Sequence, residues 1–238
     1  MKKGAAAQKR AKQNFLSALE TACRIYGPAR GWCLYDYESF EGTAYHPTVA
    51  QKIVGLAFLG AVSAWEDFVS ETYLGYLSGY PSDKGYLPKL CCGPALNRKH
   101  ALMLASGEAN GSDADRKMRW NNPRWVKSIS KIHFSSNNPF NMLPENCVKR
   151  LEAANVIRNR VAHNSSKAKM QFKHLANQMI EAPKEAPLPP GFSPGMLLIE
   201  MVEPHPALHD LEGDEHHWGD IFEGYMGLWK RLADFISP

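Results

Sequence analysis

Residues 53–68 read Ile-Val-Gly-Leu-Ala-Phe-Leu-Gly-Ala-Val-Ser-Ala-Trp-Glu-Asp-Phe. Apolar side chains fall here at helical rather than alternating spacing, and Ile53, Val54, Leu56, Phe58, Leu59 and Val62 circle the helix almost completely. A helix that is apolar nearly all round is buried on several sides, so the run predicts a long central helix over 48–78 that stops near Gly79 and Pro81. The uncharged apolar stretch from Ile53 to Trp65 is 13 residues, against the roughly 20 that a membrane-spanning helix needs. A core helix is therefore expected, and no membrane span. Glu66 lies two turns below Leu59 on the same side, which points its carboxylate toward the core and demands a partner for it.

The same helical periodicity extends outward in both directions. Residues 5–26 read as a helix rich in Ala, Gln and Lys, closed by Gly27-Pro28. An aromatic connection, 29–46, carries Trp32, Tyr35, Tyr37, Phe40 and Tyr45. Pro94 opens a short helix through Ala105, and 106–145, rich in Asn, Gly, Ser and Asp, reads as an insertion with at most one helix. Pro144-Glu145 starts a helix to about His163, because proline at the first helical position gives up no needed hydrogen bond. A further helix covers Lys167 to Ile180, and five prolines make 183–195 a stiff connector. Gly195 to Val202 reads as a short strand. The last helix, 217–236, lines up Ile221, Tyr225, Leu228, Leu232 and Phe235 on one face. The expected architecture is all-α, a single domain over 1–238. It is a helical bundle with its core at about 48–180, a loop-rich insertion and an extra C-terminal helix.

Composition sets the outer limits. With 238 residues, 44% of them hydrophobic, the chain can bury a substantial core, and overall disorder is excluded. No repeat of solenoid length appears. The five cysteines, Cys23, Cys33, Cys91, Cys92 and Cys147, are odd in number and lack paired metal spacing, so a reducing cytoplasm is expected and Cys91 and Cys92 read as packing residues. No P-loop, GxGxxG, HExxH or GxSxG motif supports a nucleotide motor, a Rossmann oxidoreductase or a serine hydrolase. His205, His209, His216 and His217 sit among acids in a proline-interrupted stretch that reads as a solvated loop, and neither metal nor cofactor is expected. The net charge of +4 is unevenly spread. The first twelve residues hold five basic side chains and no acid, and Asn146 to His174 set seven basic residues against Glu152 alone. Glu181 to Glu223 reverses the sign, with ten acids against Lys184. Basic segments beside an acidic tail suit a polyanionic partner, or else a mixed solvated surface.

The helix over 145–163 carries the unusual residues. Its apolar stripe runs through Cys147, Leu151, Ala154 and Val161 with Ile157 at the edge, and Arg158 falls near the middle of that stripe. His163 points roughly 140° away from Arg158. An arginine turned toward a core needs a partner, and Glu66 or Asp67 from the central helix is the candidate. A purely structural ion pair is one reading of Arg158.

The run Asn155-Val-Ile-Arg-Asn-Arg-Val-Ala-His163 supplies another reading. Arg158-Asn159-Arg160-Val161-Ala162-His163 resembles the signature of the HEPN superfamily: an arginine, a polar residue that is typically asparagine, three further residues and a histidine near a helix end. Asn138-Pro139-Phe140 and the helix carrying Trp65-Glu66 resemble branches of the superfamily found in prokaryotic toxins and phage-defence proteins. The resemblance covers about 48–180. It implies an all-α bundle and a metal-independent endoribonuclease that works as a homodimer, two motifs facing one cleft. It assigns catalysis to Arg158, Asn159 and His163 with Glu66 in support, and gives RNA as substrate and an antitoxin or defence-system protein as possible partner.

Those side chains suit that chemistry. RNA brings its own nucleophile in the 2′-hydroxyl, so the protein must move protons and stabilise a crowded phosphorane-like charge. Histidine is suited to the first task and the arginine fork to the second. Asn159, one turn before His163, is placed to orient the imidazole or to bind the ribose-phosphate. Arg160, Lys167 and Lys169, with the basic 116–131 segment, would hold the RNA backbone. Trp120, Trp125 and Phe134 either stack bases or pack the insertion onto the bundle. One position departs from the pattern: some HEPN toxins carry a modifiable tyrosine two residues after the histidine, where this chain has Ser165. The alternative function is a catalytically silent HEPN-like module that binds RNA or a protein.

Overall fold

The apolar run at 53–68 does form the interior of one long helix. The structure is a computed structural model that describes residues 2–33, 46–108, 111–181, 188–211 and 219–238. In order, its helices are α1 (Lys2–Cys33), α2 (Pro47–Leu77), α3 (Arg98–Ser106), α4 (Gly111–Lys117), α5 (Pro123–His133), α6 (Glu145–Ala162), α7 (Ser166–Met179), α8 (Pro194–Ile199) and α9 (Ile221–Ile236), with a 3-10 turn at Pro206–Leu211. Among the described residues the only β pairing is two isolated bridges, Leu90 to Phe134 and Met201 to Asp220. The fold is all-α.

Several boundaries differ from the sequence reading, each for a local reason. Helix α1 runs straight through Gly27 and Pro28 to Cys33. Ala29 is fully buried beyond the proline, and Arg30 Nε donates to Asp220 at 2.7 Å, so tertiary contacts offset the backbone bond that proline gives up. The 106–145 segment holds two helices where at most one was expected. Asn122 accepts from the Trp125 amide at 3.0 Å and Pro123 occupies the first helical position of α5, the device already legible at Pro144. The short helix expected from Pro94 starts later, at Arg98, where the Asn97 side chain caps the His100 amide at 2.9 Å. The strand expected over 195–202 is α8 instead, capped by Ser193 with Pro194 in its first turn. The proline-rich connector therefore ends before Pro194; its residues 183–187 lie outside the described residues, as do Tyr35, Tyr37, Phe40, Tyr45, His216 and His217. Helix α2 also meets the length and composition of a membrane span, contrary to the count of 13, because that count stopped at the first charge; half of its most apolar window is buried inside the protein.

The chain divides into two compact units, and α1, α2, α6 and α9 each contribute residues to both. The first unit comprises Met1–Ser17, Ala64–Glu152 and Lys230–Pro238. Its core joins Phe15 to Phe68, stacked with centroids 5.0 Å apart, and Tyr73 to Phe134 and Phe140 at 5.1 and 5.0 Å. Gly75 leaves room for the Gln8 amide, which donates to the Thr72 carbonyl at 3.1 Å. Tyr73 and His133 form a buried polar pair, hydroxyl to Nδ1 at 2.8 Å, while His133 Nε2 meets the Leu104 carbonyl at 3.1 Å. A carbonyl can only accept, so Nε2 carries the proton and Nδ1 accepts from Tyr73. Burial holds the His133 imidazole below its ordinary range.

The second unit comprises Ala18–Ser63 and Ala153–Trp229. Phe58 sits amid Phe222, Tyr225 and Trp229, with centroids 5.2 Å from Tyr225 and 5.4 Å from Trp229. Asp220 is fully buried, takes a short hydrogen bond from the Tyr26 hydroxyl and the 2.7 Å bond from Arg30, and caps α9 through the Glu223 amide at 3.0 Å. Burial pushes its carboxyl above the usual range against the opposing pull of those three donors.

Candidate functional site

Helix α6 ends in a way that exposes its last residues. The His163 amide makes the final helical bond, to the Asn159 carbonyl at 2.9 Å. Two residues later the Ser165 hydroxyl caps α7 by accepting from the Ala168 amide at 3.2 Å. His163 and Asn164 thus occupy a short bend between two helices, and both side chains are exposed. Ser165, where the resemblance would place a tyrosine, has this structural task.

The bend opens onto a cleft of about 560 Å³ that lies wholly within the second unit. One wall is a face of α2, with Thr48, Gln51, Lys52, Gly55 and Leu56 at the spacing of successive turns. The second wall is the end of α6, from Arg160 to Asn164. The third is the start of α8, with Ser193, Pro194 and Gly195 preceded by Gly191. The walls meet at two glycines. A Cβ on Gly55 would come within 3.1 Å of Val161 Cγ2, and a Cβ on Gly195 would come within 2.1 Å of the Gln51 carbonyl oxygen. Only glycine lets α8 approach α2 this closely.

The cleft has one electrostatic sign. Lys52 and Arg160 contribute fixed positive charges and none of the described residues lining it is acidic. Thr48 and Ser193 add hydroxyls, Gln51 and Asn164 add amides, and Leu56, 59% exposed, gives an apolar surface. The volume suits a nucleotide-sized group, and the charge suits an anionic one.

The structure brings together some of the expected residues and not others. His163 and Arg160 share the cleft, and Arg160 Nη1 lies 3.4 Å from Asn164 Oδ1. Arg158 and Asn159 do not line it: Arg158 Nη1 donates to Asn159 Oδ1 at 3.0 Å, and both are half-buried. Arg158 is half-buried with its guanidinium Nε shut off from solvent, and Ile157, expected at the edge of the apolar stripe, is fully buried. Lys167 and Lys169 are exposed on α7. Glu66 is half-buried on the α2 portion that belongs to the first unit. Phe134 is 1% exposed within the aromatic core of the first unit and cannot stack a base; Trp120 packs on Tyr73 and Trp125, both tryptophans being half-buried. Much of the basic 116–131 segment is engaged inside its own unit: Arg124 with Glu145 and Glu152, Lys117 with Glu108, Lys127 with the Leu143 carbonyl. The basic N-terminal arm is helical, with Lys9 paired to Asp83 and Lys12 to Asp234. Asn138 ties its own loop through Ser135 and Asn141. Cys91 and Cys92, expected to pack, are exposed.

Sequence reasoning missed the α2 and α8 walls. The signal was present: Thr48, Gln51 and Lys52 place polar groups on one side at the start of an otherwise apolar helix. Ser193-Pro194-Gly195 repeats the cap-and-proline device, but its apolar continuation was read as a strand. No family model matches the chain, and no curated protein and no solved structure matches it either.

Proposed function

We propose that the chain is a metal-independent endoribonuclease of the HEPN type, acting on RNA at the α2–α6–α8 cleft in a cytoplasmic setting. The single observation that carries the reading is an exposed histidine in a nucleotide-sized cleft that holds two cations and no described acid. RNA is a dense polyanion, and Lys52 and Arg160 suit its phosphates. In the reaction, His163 takes the proton of a 2′-hydroxyl, whose oxygen attacks the adjacent phosphorus. The P–O5′ bond breaks, leaving a 2′,3′-cyclic phosphate and a 5′-oxygen that needs a proton. The same histidine of a second copy, brought up by two-fold pairing, supplies it. Arg160 and Lys52 stabilise charge on the non-bridging oxygens. Arg158 and Asn159 bond to each other on α6 just before His163. A toxin or defence effector would be kept silent by a partner that covers the cleft.

The test is incubation of the full chain with end-labelled RNA in EDTA, followed by analysis of the ends. Cyclic phosphate and 5′-hydroxyl products are expected. The absence of cleavage on structured and unstructured RNAs alike, or 5′-phosphate products, contradicts the reading. One observation favours a second reading, an RNA-binding module that does not cut: Arg158 and Asn159 bond to each other and stay out of the cleft lining. That reading expects RNA binding with steep salt dependence that survives His163→Ala.

A further inference from the structure

Gln51 is held in the cleft wall through both its backbone and its side chain. Its backbone carbonyl is closely approached by Gly195, where a Cβ would come within 2.1 Å. Its side-chain Oε1 accepts from Ser193 Oγ at 3.0 Å, and the same Ser193 Oγ accepts from the Met196 amide at 3.2 Å. The serine hydroxyl thus has one lone pair on the helix cap and its hydrogen on Gln51. Gln51 lines the cleft, and with its oxygen accepting from Ser193 its amide nitrogen is the group left to donate; among the described residues that nitrogen makes no hydrogen bond. A fixed donor without a matching acceptor discriminates between nucleobases. Uracil and guanine carry keto oxygens where cytosine and adenine carry amino groups, and an amino group facing the Gln51 nitrogen sets donor against donor.

We infer that the cleft reads the base of its RNA substrate through Gln51, oriented by Ser193, and selects keto bases (uracil or guanine) over amino bases (cytosine or adenine). The base lies along α2 against Leu56 and beside Gln51, with its phosphate on Lys52 and Arg160. The inference deepens the ribonuclease reading and rests on it for the identity of the ligand as RNA. Gln51 is a specificity residue here: it touches the base and takes no part in proton transfer.

The experiment is calorimetric titration of the full chain with the 3′-monophosphates of uridine, cytidine, guanosine and adenosine, compared within pairs of equal size. Uridine should bind about three- to tenfold more tightly than cytidine, and guanosine than adenosine, as expected for one made against one frustrated hydrogen bond. Gln51→Ala should bring each pair to parity. Gln51→Glu, which can only accept, should invert the preference at lower overall affinity. Ser193→Ala should weaken the preference and Ser193→Thr should keep it, with circular dichroism confirming that each variant is folded. Equal affinities within both pairs, a preference unchanged in Gln51→Ala, or no binding of any of the four would overturn the inference. Parity within the pairs together with RNA cleavage that depends on His163 sinks the base-reading inference alone. A clear pair preference without cleavage of any RNA sinks the ribonuclease reading alone.

Discussion

Two histidines of this chain meet opposite surroundings. His133 is buried, bonded on both ring nitrogens and held below its ordinary range by desolvation, so it serves structure. Its folded form resists protonation while the unfolded chain takes a proton near the ordinary histidine value of about 6.5. The stability it lends is therefore complete above that value and is lost as pH falls from there through the depressed folded value. Urea unfolding at pH 7.5 and pH 5 should show this loss, and the difference should shrink in His133→Gln. His163, by contrast, is exposed beside two cations. Lys52→Ala and Arg160→Ala should each weaken RNA binding about equally across sequences, and each should reduce the slope of log affinity against log salt by about 1. An unchanged slope in both variants removes the cleft from RNA binding. The sequence exposed His163 to view because a histidine closing an amphipathic helix is conspicuous. It did not reveal Lys52 or Gln51, since their meeting with α6 depends on tertiary packing that no local spacing encodes.

At the level of elements, closeness is set by glycine and by caps. Gly195→Ala drives a methyl group into the Gln51 carbonyl, and backbone cannot swing aside as a flexible side chain can. A loss of about 1–3 kcal/mol is expected on denaturant unfolding, with loss of RNA binding; unchanged stability would mean that α8 does not seat against α2. Asp220 joins α1 to α9 within the second unit while capping α9. Asp220→Ala leaves the Tyr26 hydroxyl and the α9 cap without their acceptor, and should cost about 2–4 kcal/mol. The helices legible in advance were those whose apolar period was long, α2, α6, α7 and α9, together with the proline-led start of α6. Those misread turned on competition between local and tertiary signals. Pro28 looked like a stop until Ala29 burial and the Arg30–Asp220 pair outweighed it, and Gly195 to Val202 had the apolar run of a strand but the Ser193 cap of a helix.

For the molecule as a whole, the all-α class followed from periodicity, but the division into two interleaved units did not. Contacts such as Lys12 with Asp234 link residues too far apart in the chain for spacing to reveal. Charge was misleading at this scale as well, because the basic stretch 116–131 spends Lys117 and Arg124 on acids of its own unit, while the described cleft lining holds two cations, Lys52 and Arg160. If two copies complete the proton inventory of the reaction, light scattering of the chain should give twice the monomer mass of 26.6 kDa, and a strictly monomeric active protein would exclude the shared-histidine scheme. The most direct test of the central claim is the initial rate of RNA cleavage in EDTA by the wild type and by His163→Ala, matched for fold by circular dichroism. The account predicts cleavage to cyclic-phosphate ends by the wild type and a loss of at least about a hundredfold in the variant. Equal rates in the two proteins would contradict it.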